Sequence, residues 1–293
     1  MNNIKNEIKK SLFNIYFILP CFLGIVLSLI YAFKAIDIYS EYCKHVSFDE
    51  VLTQNTLAPT FNAFMIWIGG PRLEDDKSTI IFFWYVILAA AVPYTWSYCA
   101  ERRKAKKLQK TYSVGIKQRI DKYISVFISS GLISAVSLLI NLAVILLFIP
   151  ATKPDPVYNI YYREFSSSLT GEIYYSFPIV YEIIYIAFFF AFCGLIGCVG
   201  YSVSLIIKNE IAAVLSPVIL ILAIHFSKNR LYSTYKLFSP FEYMNVADRI
   251  FRNSKIMLME MLIMFLLSFS IVLIMFPKKK KHTIMSKSME VDA

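Results

Sequence analysis

Six predominantly apolar stretches dominate this chain of 293 residues. They cover residues 12–36, 79–99, 124–149, 177–207, 211–226 and 256–276. A membrane-spanning helix needs roughly 20 apolar residues, and only the fifth stretch, which contains Pro217, is clearly shorter. Charged residues make up 17% of the chain and apolar residues 57%, which leaves too few charges to cover a soluble protein. The sequence predicts an all-α integral membrane protein with one transmembrane domain, 1–293, and six transmembrane helices.

The positions of lysine and arginine predict the orientation of this domain. Cytoplasmic connectors carry an excess of basic residues, and an even number of crossings places both termini on one side. With cytoplasmic termini, 18 of the 30 basic residues lie inside, and seven of the 20 acidic residues lie in the first outer connector, 37–78. The outer connector 227–255 is an exception, since it carries six basic residues. We expect both termini to be cytoplasmic, and we expect the net charge of +10 to be mainly an orientation signal.

The first residues have the pattern of a membrane-surface helix. Ile4 and Ile8 fall on one helical face, and Lys5 and Lys9 fall on another. This spacing predicts an N-terminal amphipathic helix along the inner membrane surface. A frayed charged terminus is the alternative.

Two outer connectors contain aromatic clusters. In 227–255 the run LFSPFEYMN surrounds Pro240, which predicts a segment that rests in the outer interface or re-enters the membrane before the last helix. In the first outer connector, three aromatic residues precede a Gly-Gly-Pro sequence: Phe61, Phe64 and Trp67. This second pattern predicts a short interfacial helix followed by a turn.

The inner connector between the second and third spans, 100–123, begins with a dense basic run suited to anionic lipid headgroups. Beyond that run, Ser113 can cap a helix with one apolar and one charged face. The apolar face holds Ile116, Ile120 and Tyr123, and the charged face holds Lys117, Arg119 and Asp121. A short cytoplasmic helix that docks into a partner and the inner end of the third helix both fit this pattern.

Polar residues within spans are costly and indicate functional positions. Glu182 and Glu260 lie near the predicted outer ends of their spans, and so does His225. These three side chains are candidates for a substrate path or an outer gate. For the two acids, contact with outer headgroups or with a basic residue of 227–255 is the favoured alternative.

Small residues recur along the fourth span, at Ala191, Gly194, Gly197 and Gly200. Such residues allow close approach of two helix backbones. We expect this face to pack in the core of the bundle, and a subunit interface is the sharper alternative.

Several kinds of chemistry have no sequence signature here. The chain contains no G-x-x-x-x-G-K-[ST] phosphate loop, no Cys-x-x-Cys pair and no histidine cluster. Its basic residues follow the inner membrane boundary, which does not favour nucleic-acid binding. We therefore expect no enzymatic activity, metal site or cofactor in this chain.

The layout resembles the membrane subunit of an ABC transporter of the ABC-2 type. The shared features are the amphipathic start, six spans, a large first outer connector and a basic connector after the second span. The proline-bearing fifth span, AAVLSPVILIL, and the aromatic segment with SPFEYMN before the sixth span continue the likeness. The resemblance is one of layout over nearly the whole chain, carried by weak local motifs.

This resemblance implies partners and roles. A separate ATPase would hold ATP and Mg²⁺, and a second permease copy, identical or different, would complete the membrane part. In the family, the connector after the second span couples the permease to the ATPase. Carried onto this chain, the coupling residues are Ser113, Ile116, Lys117, Arg119, Ile120 and Asp121, with Lys208, Asn209 and Glu210 in the second inner connector.

The implied function is outward transport of a peptide or another amphipathic substrate across the cytoplasmic membrane of a bacterium. A non-transporting membrane protein that binds a peptide, as an immunity or accessory factor, is the alternative. A secondary transporter ranks lowest, because the two halves show no convincing repeat and no deep charged residue could couple an ion.

Overall fold

The computed structural model describes residues 2–48, 61–70, 77–107, 115–156, 171–207, 209–235 and 254–275. These residues form ten α-helices and no strand. The helices are α1 (Asn2–Leu12), α2 (Ile15–Phe48), α3 (Ala63–Ile66), α4 (Lys77–Ala91), α5 (Pro93–Lys107), α6 (Ile116–Phe148), α7 (Gly171–Ser176), α8 (Pro178–Ile206), α9 (Glu210–Tyr235) and α10 (Ser254–Ile274). Six helical stretches are long and apolar enough to cross a membrane: Ile15–Lys44, Lys77–Arg103, Ile116–Phe148, Pro178–Ile206, Glu210–Ser227 and Met257–Ile274. The prediction of an all-helical protein with six candidate spans is confirmed for the described residues.

The predicted first span, 12–36, is wrong at both ends. Leu12 belongs to α1, and α2 begins at Ile15 after a turn. Asn14 makes this boundary, because its side-chain oxygen accepts the Tyr16 amide at 3.2 Å and so caps α2. At the other end α2 continues to Phe48, since charged residues end an apolar stretch without ending a helix.

The second span is divided into two helices. Helix α4 ends at Ala91 and α5 begins at Pro93, whereas the sequence predicted one continuous segment, 79–99. Proline has no amide hydrogen and its ring clashes with the preceding turn, so the helix breaks there. The second half, α5, carries the basic run Arg102–Lys107 away from the apolar half.

The short fifth stretch, predicted as 211–226, agrees within one residue at each end with the candidate span Glu210–Ser227. The helix that contains it, α9, continues through Pro217 to Tyr235. Pro217 cannot donate a hydrogen bond to the carbonyl of Ala213. The hydroxyl of Ser216 donates to that carbonyl instead, at 2.8 Å, which is how membrane helices commonly tolerate proline.

The second, third and fourth spans form the centre of the bundle. Their most apolar parts are 59%, 50% and 61% buried, against 28% for the first and fifth spans and 11% for the sixth. The fourth and sixth spans match their predicted bounds within two residues. The third, predicted as 124–149, begins eight residues earlier, because α6 is continuous from Ile116.

Candidate functional site

Seven charged residues gather where several helices begin or end, and we call them the charged cluster: Lys10, Glu101, Arg102, Arg103, Arg119, Lys122 and Glu210. Helices α1, α5, α8 and α10 end at this point, and α6 and α9 begin there. The cluster therefore links six helices at one end of the bundle.

Glu101 on α5 is the centre of this cluster. Its carboxylate binds the amine of Lys10 on α1 and, at 3.3 Å, the amine of Lys122 on α6. The Lys122 side chain is only 2% exposed, and its amine also lies 5.2 Å from the centre of the Tyr98 ring. A buried ammonium needs such partners, because an unpaired charge at this depth is strongly unfavourable.

The arginines of α5 extend the cluster to two further helices. Arg103 binds the carboxylate of Glu210, at the start of α9, at 2.9 Å. Arg102 donates to the carbonyl of Ser204, near the end of α8, at 3.2 Å. That carbonyl lies in the last turn of the helix, where cations are favoured. Helix α5 is thereby joined to both helices that flank the second inner connector.

Arg119 ties the start of α6 to the end of α10 by donating to the carbonyl of Met275. Nearby, the hydroxyl of Tyr123 lies 2.8 Å from that of Ser268 on α10. Ser125 donates to the hydroxyl of Ser11 on α1 at 2.9 Å. The first turns of α6 are thus held by helices on two sides.

The predicted faces of residues 113–123 hold only in part. Tyr123 of the apolar face is buried as predicted, but Arg119 and Asp121 of the charged face are buried too, and Ile116 of the apolar face is 38% exposed. Burial here increases along the helix from its first turn, which helical spacing alone does not predict. Lys117 is exposed and Ile120 is half-buried.

These residues form the first turns of α6 and not a separate short helix. Gly115 stands at the N-cap position, two residues later than predicted. The predicted cap, Ser113, lies outside the described residues.

The connector between α8 and α9, which the sequence predicts to be the second inner connector, is very short. Lys208 lies outside the described residues. Asn209 is exposed and its side-chain oxygen accepts the Ile211 amide at 3.0 Å, so it caps α9. Glu210 follows at once and pairs with Arg103, so this connector is attached directly to α5.

Sequence reasoning missed Lys10, Glu101 and Lys122. One signal could have found the centre of the cluster, since Glu101 is the single acid in the basic stretch 100–110. An acid retained among so many cations is typical of a specific ion pair.

The candidate residues for an outer path lie on three helices. Glu182, on α8, is fully buried, which is against contact with outer headgroups; the other part of the favoured interpretation, a pair with a basic residue of 227–255, lies largely outside the described residues. His225, on α9, meets the ring of Trp84 edge-on at 5.7 Å. Glu260, on α10, is half-buried.

The small residues of α8 pack within this chain. Gly194 lies against Phe127 of α6, Gly197 against Ser130 of α6, and Gly200 against Thr95 of α5. Their surfaces are occupied by neighbouring helices, which leaves the bundle core and not a subunit interface as their place. Ala191 instead lines an apolar cleft of about 470 Å³ between α6, α8 and α10.

Among the described residues, no group of three His, Cys, Asp or Glu side chains could hold a metal ion. All five cysteines are free thiols.

Comparisons with protein-family models, with curated proteins and with solved structures find no match to this chain.

Proposed function

We propose that this chain is the membrane-spanning permease subunit of an ATP-driven exporter with the ABC-2 layout. It would move a peptide or another amphipathic substrate outward across a bacterial cytoplasmic membrane. Separate ATPase subunits would hold ATP and Mg²⁺, and a second permease copy would complete the path. The charged cluster is the observation that carries this proposal, because it joins the helices that flank both connectors expected to face the ATPase.

In this proposal the charged cluster lies on the cytoplasmic side. Basic side chains are concentrated there, as expected of a cytoplasmic boundary. Helix α1 would lie along the inner surface, with exposed Lys5 and Lys9 near anionic headgroups. The aromatic run around Pro240 lies outside the described residues, and its interfacial or re-entrant position before α10 stays a prediction.

The contacts suggest how movement at the ATPase would reach the spans. A push on the exposed start of α6 passes through the Lys122–Glu101 pair to α5. From α5 the Arg103–Glu210 pair leads to α9. Because α5 is separated from α4 by the break at Pro93, it can pivot without bending a continuous helix. Such a linked set of helices suits a two-state switch biased by ATP bound on another subunit.

Site-specific photocrosslinking tests the position of the ATPase. A benzophenone side chain at Lys117, which is exposed at the start of α6, should capture the ATPase subunit in intact membranes. The matched control is Leu147, which is 79% exposed at the other end of the same helix and should capture none.

Equal capture from both positions, or none from Lys117 in an active complex, would contradict the coupling role. Peptide resistance conferred by the chain in cells without any ATPase partner would instead favour the non-transporting immunity factor.

A further inference from the structure

Residues 61–70, which we call the inserted segment, do not take the shortest route between the two helices on either side of them, α2 and α4. They lie in the connector between the first two spans, and yet residues 62–70 are all buried. Trp67 and Ile68 have no exposed surface. The segment contains the predicted short helix, α3, and the turn after it, and both are buried inside the protein. It is packed among α2, α4, α6 and α8.

Six backbone amides of the inserted segment donate hydrogen bonds to other groups of the protein. Asn62 caps α3 by accepting the Met65 amide on its side-chain oxygen at 3.0 Å. The Ala63 amide donates to the carbonyl of Pro150 at 3.0 Å, and the Gly70 amide donates to that of Trp67 at 2.8 Å. Non-helical backbone is tolerated at membrane depth only when protein groups satisfy it in this way.

Two side chains from the spans hold the deepest part of the segment. Asn141 on α6 accepts the Ile68 amide at 3.1 Å and donates to the carbonyl of Ser28 on α2 at 2.6 Å. Tyr31, one turn along α2, donates to the carbonyl of Ile66 at 2.5 Å. Asn141 therefore connects the segment to two different spans at once.

The same contacts place the segment well inside the bundle. Asn141 lies seven residues before the end of α6, which is about 10 Å along the helix axis. The Trp67 ring meets the Tyr185 ring edge-on, with centroids 5.6 Å apart, and Tyr185 lies seven residues into α8. Asn141 is counted from the end of α6 and Tyr185 from the start of α8, and both of these helix ends lie opposite the charged cluster.

The segment also fits without spare space. A Cβ atom added to Gly70 would lie 2.6 Å from the carbonyl oxygen of Phe64, and one added to Gly69 would lie 2.5 Å from the rings of Trp67 and Tyr185. A side chain at Gly69 would therefore displace the two rings, and one at Gly70 would displace the backbone of α3.

We propose that the inserted segment is a re-entrant plug that closes the outer half of the helix bundle, and that Asn141 is its latch. The part of the proposal in which the closed path serves a substrate rests on the proposed function. The plug and its latch do not depend on that function. Opening the outer half requires the hydrogen bonds from Asn141 and Tyr31 to break, which frees the segment toward the outside.

Thiol labelling from outside the cell tests the plug without any ATPase. In a chain whose five native cysteines are replaced by serine or alanine, single cysteines replace Ile68, within the plug, and Ser28, behind it. A membrane-impermeant maleimide should label both positions at least about 100-fold more slowly than it labels a cysteine at exposed Lys77. The reason is that a buried thiol reacts only in the small fraction of molecules in which the plug is open.

Release of the latch should change both rates. Asn141→Leu keeps the branching and the number of side-chain heavy atoms and removes two hydrogen bonds, and it should speed labelling at both sites about tenfold. Tyr31→Phe is an independent second variant that should act in the same direction. Ser129→Ala, which removes a hydrogen bond within α6 alone, should change neither rate.

Three results would overturn the proposal. Fast labelling of the Ile68 position in the parent chain would show that the segment is not buried. Unchanged labelling in both Asn141→Leu and Tyr31→Phe would remove the latch. Faster labelling at position 68 with none at position 28 would show a loop that opens without unblocking the bundle. All three can be read even if no ATPase partner exists.

Discussion

Removal of the Glu101 carboxylate should destabilise the protein much more than removal of the Lys122 amine that it binds. Glu101→Gln leaves the ammonium of Lys122 in a position where its side chain is 2% exposed. Loss of one partner of a buried ion pair costs about 3–5 kcal/mol. The Tyr98 ring, 5.2 Å away, remains and offsets about 1 kcal/mol. We expect a net loss of about 2–4 kcal/mol.

The reverse change is expected to be mild. Lys122→Met replaces the buried charge with an apolar chain of similar length, and Glu101 keeps Lys10 and is itself 29% exposed. The loss should be under about 1 kcal/mol, because replacement of a buried charge by a well-packed apolar group is often neutral. In a chain that already carries Lys122→Met, Glu101→Gln should also cost under about 1 kcal/mol.

Thermal unfolding in a mild detergent measures this asymmetry. Glu101→Gln should lower the midpoint by roughly 5–10 °C and Lys122→Met by no more than about 3 °C. The control is Lys10→Gln, whose side chain is 57% exposed and whose loss should change stability by under about 1 kcal/mol. Equal losses for Glu101→Gln and Lys122→Met, or a larger loss for Lys122→Met, would refute the role given to the buried ammonium.

Three further outcomes are expected from the same contacts. Gly197→Leu should prevent close packing of α8 on α6, so that no folded protein elutes in gel filtration in detergent. Gly115→Ala is the control and should elute as the parent does, because a Cβ there meets nothing within 4 Å. Arg103→Gln and Glu210→Gln should each lower the free energy of unfolding by under about 1 kcal/mol, since the pair is partly exposed. Each should nevertheless lower substrate-stimulated ATP hydrolysis severalfold, and full stimulation would show that the pair does not transmit movement. Tyr123→Phe should lower stability by about 1 kcal/mol in thermal unfolding, because one buried hydrogen bond to α10 is lost, and no change would mean that this bond contributes nothing.

The helices were largely predictable from the sequence, because apolar stretches of span length have few alternatives in a membrane. The limits of helices were less predictable. Polarity marks where an apolar stretch ends, but α2 and α6 continue for about ten residues beyond it as ordinary helices. Conversely, the break at Pro93 lies inside an apolar stretch and follows from a missing amide hydrogen.

The sequence indicated what kind of segment each site contains, but not which residues of other helices it contacts. Basic residues around 100–123 indicated an important connector, but the pairing of Glu101 with Lys122 depends on how α5 and α6 meet. The aromatic residues before Gly69 indicated a short helix and a turn. Their burial could not be predicted, because it depends on Asn141, more than 70 residues away in the chain.

Purification of the intact chain from its native membrane, with protein identification and an ATP hydrolysis assay on the same sample, tests the proposed permease most directly. We predict that an ATPase subunit with a phosphate-binding loop co-purifies in fixed proportion and that the sample hydrolyses ATP. We also predict that Glu101→Gln weakens this association more than Lys122→Met does. A chain that keeps its activity in cells depleted of ATP, and that co-purifies with no ATPase, would contradict the proposal.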